Sequence, residues 1–191
     1  IKAPVRHFPG PADDRTRATD STLAGALSLQ PCGTNPAAAP AEWGFVWLLP
    51  KLGATNSSIR LGGKNTGRDV CMALVTARAD FSNADVGVRP CNASDAMQSW
   101  SWDMHTGALR TLASPDQLRA ADIKGCLSDA ATSSCCLDIN AHANSSGQAI
   151  QMDQCQGPHS WGSFAPLQTS LGTMLESVIY PGSCVFSTPL P

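Results

Sequence analysis

Eight cysteines carry the clearest chemistry in this 191-residue chain: Cys32, Cys71, Cys91, Cys126, Cys135, Cys136, Cys155 and Cys184. None lies in the close Cys-x-x-Cys pairs of a zinc site or a thioredoxin-like redox motif. An even number spread along the chain points instead to disulfides, which persist only where the environment oxidises. Three Asn-x-Ser/Thr sequons, at Asn56, Asn92 and Asn144, are acceptors for N-linked glycans and predict exposed loops at those places. Cysteines and sequons together predict a secreted, extracellular or lysosomal protein of the secretory pathway. The start at Ile1, with neither a charged n-region nor an apolar h-region, reads as a mature chain whose signal peptide has been removed.

Other chemistries find fewer residues. The histidines, His7, His105, His142 and His159, show no His-x-x-x-His spacing, so no metal site is expected. There is no Gly-x-Ser-x-Gly elbow and no phosphate-binding Walker loop. Asp80, Asp85 and Asp95 fall in loop-like sequence without an evident carboxylate partner for glycoside hydrolysis. The chain therefore reads as a non-enzyme without a cofactor, and any associated catalysis belongs to another chain or another part of a precursor, such as a processed glycosidase. Thirteen Lys+Arg against 15 Asp+Glu, in a chain only 15% charged, leave no basic stripe dense enough to neutralise phosphates, which argues against nucleic acid. Apolar runs such as Phe45 to Leu49 are far short of the ~20 residues that span a bilayer, so no membrane span is expected.

The elements that would position these residues are short strands. Residues 1–22 hold three Pro and the charged run Asp13 to Arg17 before any apolar pattern, and read as an N-terminal arm. From Leu23 to Pro191, a single domain, apolar residues alternate in short runs bounded by Gly, Asn, Ser and Pro: Ala26–Leu29, Ser58–Leu61, Val86–Val88, Gly107–Leu112 and Ala149–Met152. Period-2 alternation predicts half-buried strands and an all-β barrel or sandwich, with one helical turn within Ser114 to Ile123. The runs also repeat. Leu27 and Leu29 precede Cys32, Val86 and Val88 precede Cys91, and Ile150 and Met152 precede Cys155, each at the fifth and third positions before the Cys, and each Cys leads to a Trp (Trp43, Trp100, Trp161). Interleaved with them, Cys71, Cys136 and Cys184 each open an apolar stretch.

This threefold order resembles the ricin-type (R-type) β-trefoil lectin family, marked in each of three lobes by a Cys-Leu-Asp-like strand and a Gln-x-Trp motif. Gln98-Ser99-Trp100 is a literal Gln-x-Trp, Cys136-Leu137-Asp138-Ile139 is close to the leading strand, and Ala41-Glu42-Trp43 and His159-Ser160-Trp161 depart from the motif. The resemblance covers about Leu23 to Phe186 and implies an all-β, disulfide-stapled β-trefoil of three pseudo-equivalent lobes, with insertions at Gly62 to Asp69 and Ser114 to Ser134. It implies the pairs Cys71–Cys91 and Cys136–Cys155, and a Cys32–Cys184 bridge that joins the two ends of the domain. Cys126 and Cys135 are left to close a local loop, with a swap between the adjacent Cys135 and Cys136 open. Trp43, Trp100 and Trp161 are expected in the shared core, while Trp47 and Trp102 are extra and free to present an aromatic face to a sugar.

The resemblance implies a sugar pocket in each lobe, and two lobes fail to match it, one of them keeping Arg89 alone as a polar handle. Ala73, Gly87, Arg89 and Met97 stand at the pocket positions of one lobe, and Phe186, Ser28, Gln30 and Pro40 at those of another. In the third, Asp138 and Gln151 match, Asp153 replaces the aromatic and Pro158 the amide, with Asn140 or His159 as substitute polar partners. Carboxylate and amide groups there would bind vicinal hydroxyls; Asp138 is equally suited to cap a turn from Asn140 to Ala143. The implied function is a carbohydrate-binding module for glycans or glycoproteins. The alternative is a trefoil whose sites have decayed and which serves as a structural or protein-interaction subunit of an extracellular assembly.

Overall fold

The alternating runs are strands in the computed structural model, which describes residues 25–33, 46–51, 53–62, 69–77, 84–103, 105–120, 135–139, 148–155, 161–170 and 172–187. In chain order they are β1 (Gly25–Pro31), β2 (Trp47–Leu48), β3 (Arg60–Leu61), β4 (Val70–Ala77), β5 (Ala84–Pro90), β6 (Trp100–Trp102), β7 (Leu109–Thr111), β8 (Cys135–Ile139), β9 (Gln148–Gln154), β10 (Phe164–Thr169), β11 (Gly172–Ser177) and β12 (Ser183–Ser187). The chain is all-β apart from short helical turns. One, α1 (Pro115–Ala120), lies inside the segment expected to hold it. It starts with a reciprocal capping box: the Gln117 N–H donates to Ser114 Oγ, and the Ser114 N–H donates to Gln117 Oε1.

All pairings are antiparallel. Eight strands follow one another as β2-β3-β4-β5-β9-β8-β7-β6 in a curled half-barrel, and four form a sheet ordered β10-β11-β12-β1. The two join because β1 pairs with β5 at Gly25↔Val88 and with β9 at Ser28↔Ala149, while β5 itself pairs with β9 at Asp85↔Gln151. Three strands that each precede a Cys thus meet one another in turn.

The pairings around this centre recur three times. The first Cys of each pair sits opposite a residue of the preceding strand: Arg60↔Cys71, Arg110↔Cys136 and Glu176↔Cys184. Three ladders follow, β4 with β5, β8 with β9 and β12 with β1. A disulfide closes each: Cys71–Cys91, Cys136–Cys155 and Cys32–Cys184, with Cα separations of 5.0, 4.9 and 4.9 Å. Cys135 is also disulfide-bonded; its expected partner Cys126 lies outside the described residues. Three hairpins, β2–β3, β6–β7 and β10–β11, are closed by matching backbone bonds, Gly62 N–H to Val46 O, Leu112 N–H to Ser99 O and Val178 N–H to Ser163 O, at 2.7, 2.9 and 2.9 Å. Consecutive hairpins also touch, through Trp100 N–H to Ser57 O and Phe164 N–H to Gly107 O.

The core is built by alternation. Residues at the third and fifth positions before each second Cys, Leu29, Leu27, Val88, Val86, Met152 and Ile150, are all buried. So are Met72, Leu137 and Val185, each just after a first Cys. Period-2 geometry sends these side chains to one face, where each apolar side chain removed from water contributes about 1.5–3 kcal/mol.

The hairpin bonds correct the assignment of the tryptophans. They make Val46, Ser99 and Ser163 equivalent, so the core aromatics are the residues that follow: Trp47, Trp100 and Phe164, all at most 1% exposed. Trp47 Nε1 donates to Val185 O, and Trp100 Nε1 to Met72 O, the same place in two ladders. Trp47 is therefore a core residue, as is Trp102 at 2% exposure, so neither presents the aromatic face to solvent that the sequence left open to it. Trp161, expected in the core, is half-buried outside it. The reason is spacing: Phe164 stands as far after Cys155 as Trp100 stands after Cys91, so Trp161 falls short of the core position. Trp43 and the 1–22 arm lie outside the described residues.

The turn from β6 to β7 is organised by Asp103, whose Oδ1 accepts the N–H of His105 at 2.8 Å and of Thr106 at 2.9 Å. These backbone bonds, that of Thr106 foremost and that of His105 next, hold the carboxyl below its ordinary value. A depressed folded-state value favours the charged form, so its stabilising contribution is present above the ordinary carboxylate range and is lost as pH falls through that lower value. Comparing melting temperatures of wild type and Asp103→Asn across about pH 6 to pH 2 should show the wild-type advantage shrinking at the acid end; a difference independent of pH would contradict it. The bridge across 152 residues should matter more than those across 20 and 19. The chain-entropy model gives about 5 kcal/mol for the former and about 3 kcal/mol for each of the latter. Denaturant unfolding of the Cys32→Ser/Cys184→Ser double variant should accordingly show a larger loss than that of Cys71→Ser/Cys91→Ser.

Candidate functional site

In every repeat the position two residues after the first Cys lies directly opposite the position four before the second. The three rungs are Ala73↔Gly87, Asp138↔Gln151 and Phe186↔Ser28. Only the third repeat puts two polar side chains there. Gln151 Nε2 donates to Asp138 Oδ2 at 3.5 Å, the outer edge of hydrogen-bond distance.

Alternation on β8 and β9 explains the direction in which this pair faces. Leu137, Ile139, Ile150 and Met152 turn to the core, so Cys136 and Asp138 on β8, with Gln151 and Asp153 on β9, turn to the other face. Asp138 is 3% and Gln151 6% exposed. Burying a carboxylate is costly unless other groups compensate it. The other two repeats put Ala with Gly and Phe with Ser at the same rung of the same kind of ladder, so the strand pairing itself does not require a charge there.

Asp153 stands opposite Cys136 and is half-buried; its Oδ1 accepts the N–H of Gln154 at 2.7 Å. It shares a face with Gln151 but supplies no aromatic surface. Asn140, His159 and Asn144 lie outside the described residues. Asn56 and Asn92 are exposed, as expected for glycan acceptors, and Asn92 Oδ1 accepts from both the N–H and the hydroxyl of Ser94.

The corrected position of the core aromatic also moves the pocket positions. Counting back from Phe164 rather than Trp161, the amide position of the third repeat falls on Trp161 and not on Pro158, and the Gln of the Gln-x-Trp motif falls on Gly162. The equal distance from Cys to core aromatic in the second and third repeats would have given this from sequence. In the second repeat Gln98 fills the motif position and is structural: its Oε1 accepts Asn92 N–H at 2.9 Å and its Nε2 donates to Pro90 O at 3.0 Å. In the third, a Cβ on Gly162 would lie 2.6 Å from Leu137 O and 3.9 Å from Asp138 Oδ1. Side-chain carbons do not approach a carbonyl oxygen so closely, so the Trp161–Gly162 backbone lies nearer to its strand than Gln98 can lie to the corresponding strand. Next to it, Trp161 and Tyr180 set their rings 5.5 Å apart at 44°, and Tyr180 packs against the core.

Among the described residues no group of three or more His, Cys, Asp or Glu is placed to hold a metal ion, and no described helix is long and apolar enough to cross a membrane. No family model, curated protein or solved structure matches the chain.

Gly162→Ala should destabilise the protein by about 1–3 kcal/mol through the contact with Leu137 O, whereas Asp153→Ala, at a half-buried position, should stay within about 0.5 kcal/mol of wild type. Chemical denaturation of the two variants measures both, and equal effects would contradict the close approach of Gly162 to β8.

Proposed function

We propose that the chain is a β-trefoil of the ricin type, secreted or held in the secretory pathway, that works as a non-catalytic carbohydrate-binding module with one site, in its third repeat. The threefold recurrence of ladders, disulfides and hairpin closures supports the trefoil, and the disulfides suit an oxidising compartment. The single observation that carries the binding reading is the Asp138↔Gln151 rung. Two repeats make the same ladder with Ala and Gly or with Phe and Ser at that rung, neither a polar pair nor a charge, so the carboxylate and amide of the third answer to something other than strand pairing. A carboxylate that accepts and an amide that both donates and accepts are suited to the vicinal hydroxyls of a pyranose. The partners on this reading are glycans or glycoproteins.

The burial of the pair favours a second reading. At 3% and 6% exposure, Asp138 and Gln151 offer little surface to a ligand, and the module then serves as a structural or protein-interaction subunit of an extracellular assembly. Array binding of wild type and Asp138→Asn to immobilised mono- and oligosaccharides separates the two. Carbohydrate binding predicts a glycan retained by wild type and lost at least about tenfold, equivalent to about 1.4 kcal/mol, on removing the charge. Wild type and variant that are alike across the array would remove the lectin reading and leave the structural one.

A further inference from the structure

The polar rung is not the only feature peculiar to the third repeat. Trp161 is surplus to the core there, because Phe164 takes the place that Trp47 and Trp100 hold in the other repeats. Met97 stands at the position of Trp161 in the second repeat, and Ser114 at that of Tyr180, so no comparable pair of rings is built there. The two rings in the third repeat lie 5.5 Å apart and half-buried, with Tyr180 packed on the core beneath. Trp161 is joined directly to Gly162, whose missing side chain faces Leu137 O and Asp138 Oδ1. A polar pair, a close-lying glycine and an aromatic pair therefore belong to the same repeat, with Gly162 linking the strand of Asp138 to Trp161.

We infer that Trp161, backed by Tyr180, is the stacking platform of the third-repeat site and takes the place of the aromatic that Asp153 does not supply. This rests on the carbohydrate-binding reading above. The chemistry is that of a ring with hydroxyls on its rim and C–H groups on a face: Asp138 and Gln151 hold hydroxyls, while the indole covers the C–H face and excludes water from it. Tyr180 fixes the indole through its tilted contact, so that little side-chain freedom is lost on binding. The substrate class is a pyranose with adjacent hydroxyls and one predominantly apolar face.

The test uses the full chain, an array of mono- and oligosaccharides, and calorimetric titration with methyl glycosides of galactose, N-acetylgalactosamine, glucose and mannose. Trp161→Ala should weaken binding roughly 2- to 10-fold, the range expected of one aromatic contact, while Trp161→Phe keeps most of the affinity and both variants unfold at close to the wild-type midpoint. If Trp161→Ala binds as wild type does while Asp138→Asn loses binding, the platform is overturned and the sugar site stands. A Phe variant as weak as the Ala variant would also overturn stacking. If wild type binds no sugar on the array or in titration, both the platform and the site fall.

Discussion

Everything in this fold hangs on the mutual pairing of β1, β5 and β9. Each of these strands carries two apolar residues, at the fifth and third positions before a Cys, and each pairs with both of the others. Three strands that meet in turn leave only one face for those apolar side chains, the shared interior. The face of a strand is set by parity, so a slip of one residue in any of the three would exchange a buried row for an outer one. The disulfides reinforce that register from outside: each joins the end of one of the three strands to its ladder partner, at Cα separations near 5 Å. Hydrophobic burial chooses the register and the covalent links hold it.

That logic makes some of the structure legible from residues and leaves the rest hidden. The strand runs and the helical turn near Ser114 could be read because period-2 alternation and turn residues are local in sequence, and the three cystine pairs because the resemblance to a threefold repeat implied them. The core aromatics could not be read by looking for Trp. Between Cys32 and Trp47 the chain is longer than between Cys91 and Trp100, so counting from the Cys fails in the first repeat, and Trp43 offers itself at a more familiar distance. In the third repeat the count works but the residue is Phe164, and the nearby Trp161 draws attention away from it. What identifies the position is the backbone bond that closes each hairpin, a tertiary fact that residue type does not encode. The same bonds turn Trp47 from a surface candidate into core, and strand alternation from Trp100 buries Trp102 as well.

The candidate site was legible at its two ladder positions for the same reason that the cystines were. Asp138 and Gln151 are fixed by their offsets from Cys136 and Cys155, and offsets along a strand translate directly into register. Their burial was not legible, because exposure depends on what covers the outer face and not on strand parity. Likewise the contribution of Gly162 is a matter of distance to Leu137 O and not of sequence pattern.

The changes in the third repeat depend on one another. In the first two repeats an indole reaches across to a ladder carbonyl, that of Val185 or Met72, and so ties the start of the hairpin to the ladder strand with a hydrogen bond. Phe164 has no N–H to offer to Leu137 O, and the link can be made only by closer packing. Gly162 permits that packing, since any larger residue would drive its Cβ into the same carbonyl. The closer backbone in turn brings the residue before it, Trp161, alongside the strand that carries Asp138. Relaxing the core rule at one aromatic position is therefore what leaves a second aromatic, Trp161, in the same repeat as the rung that pairs two polar side chains, Asp138 with Gln151, so the departures from the scaffold pattern gather in one repeat.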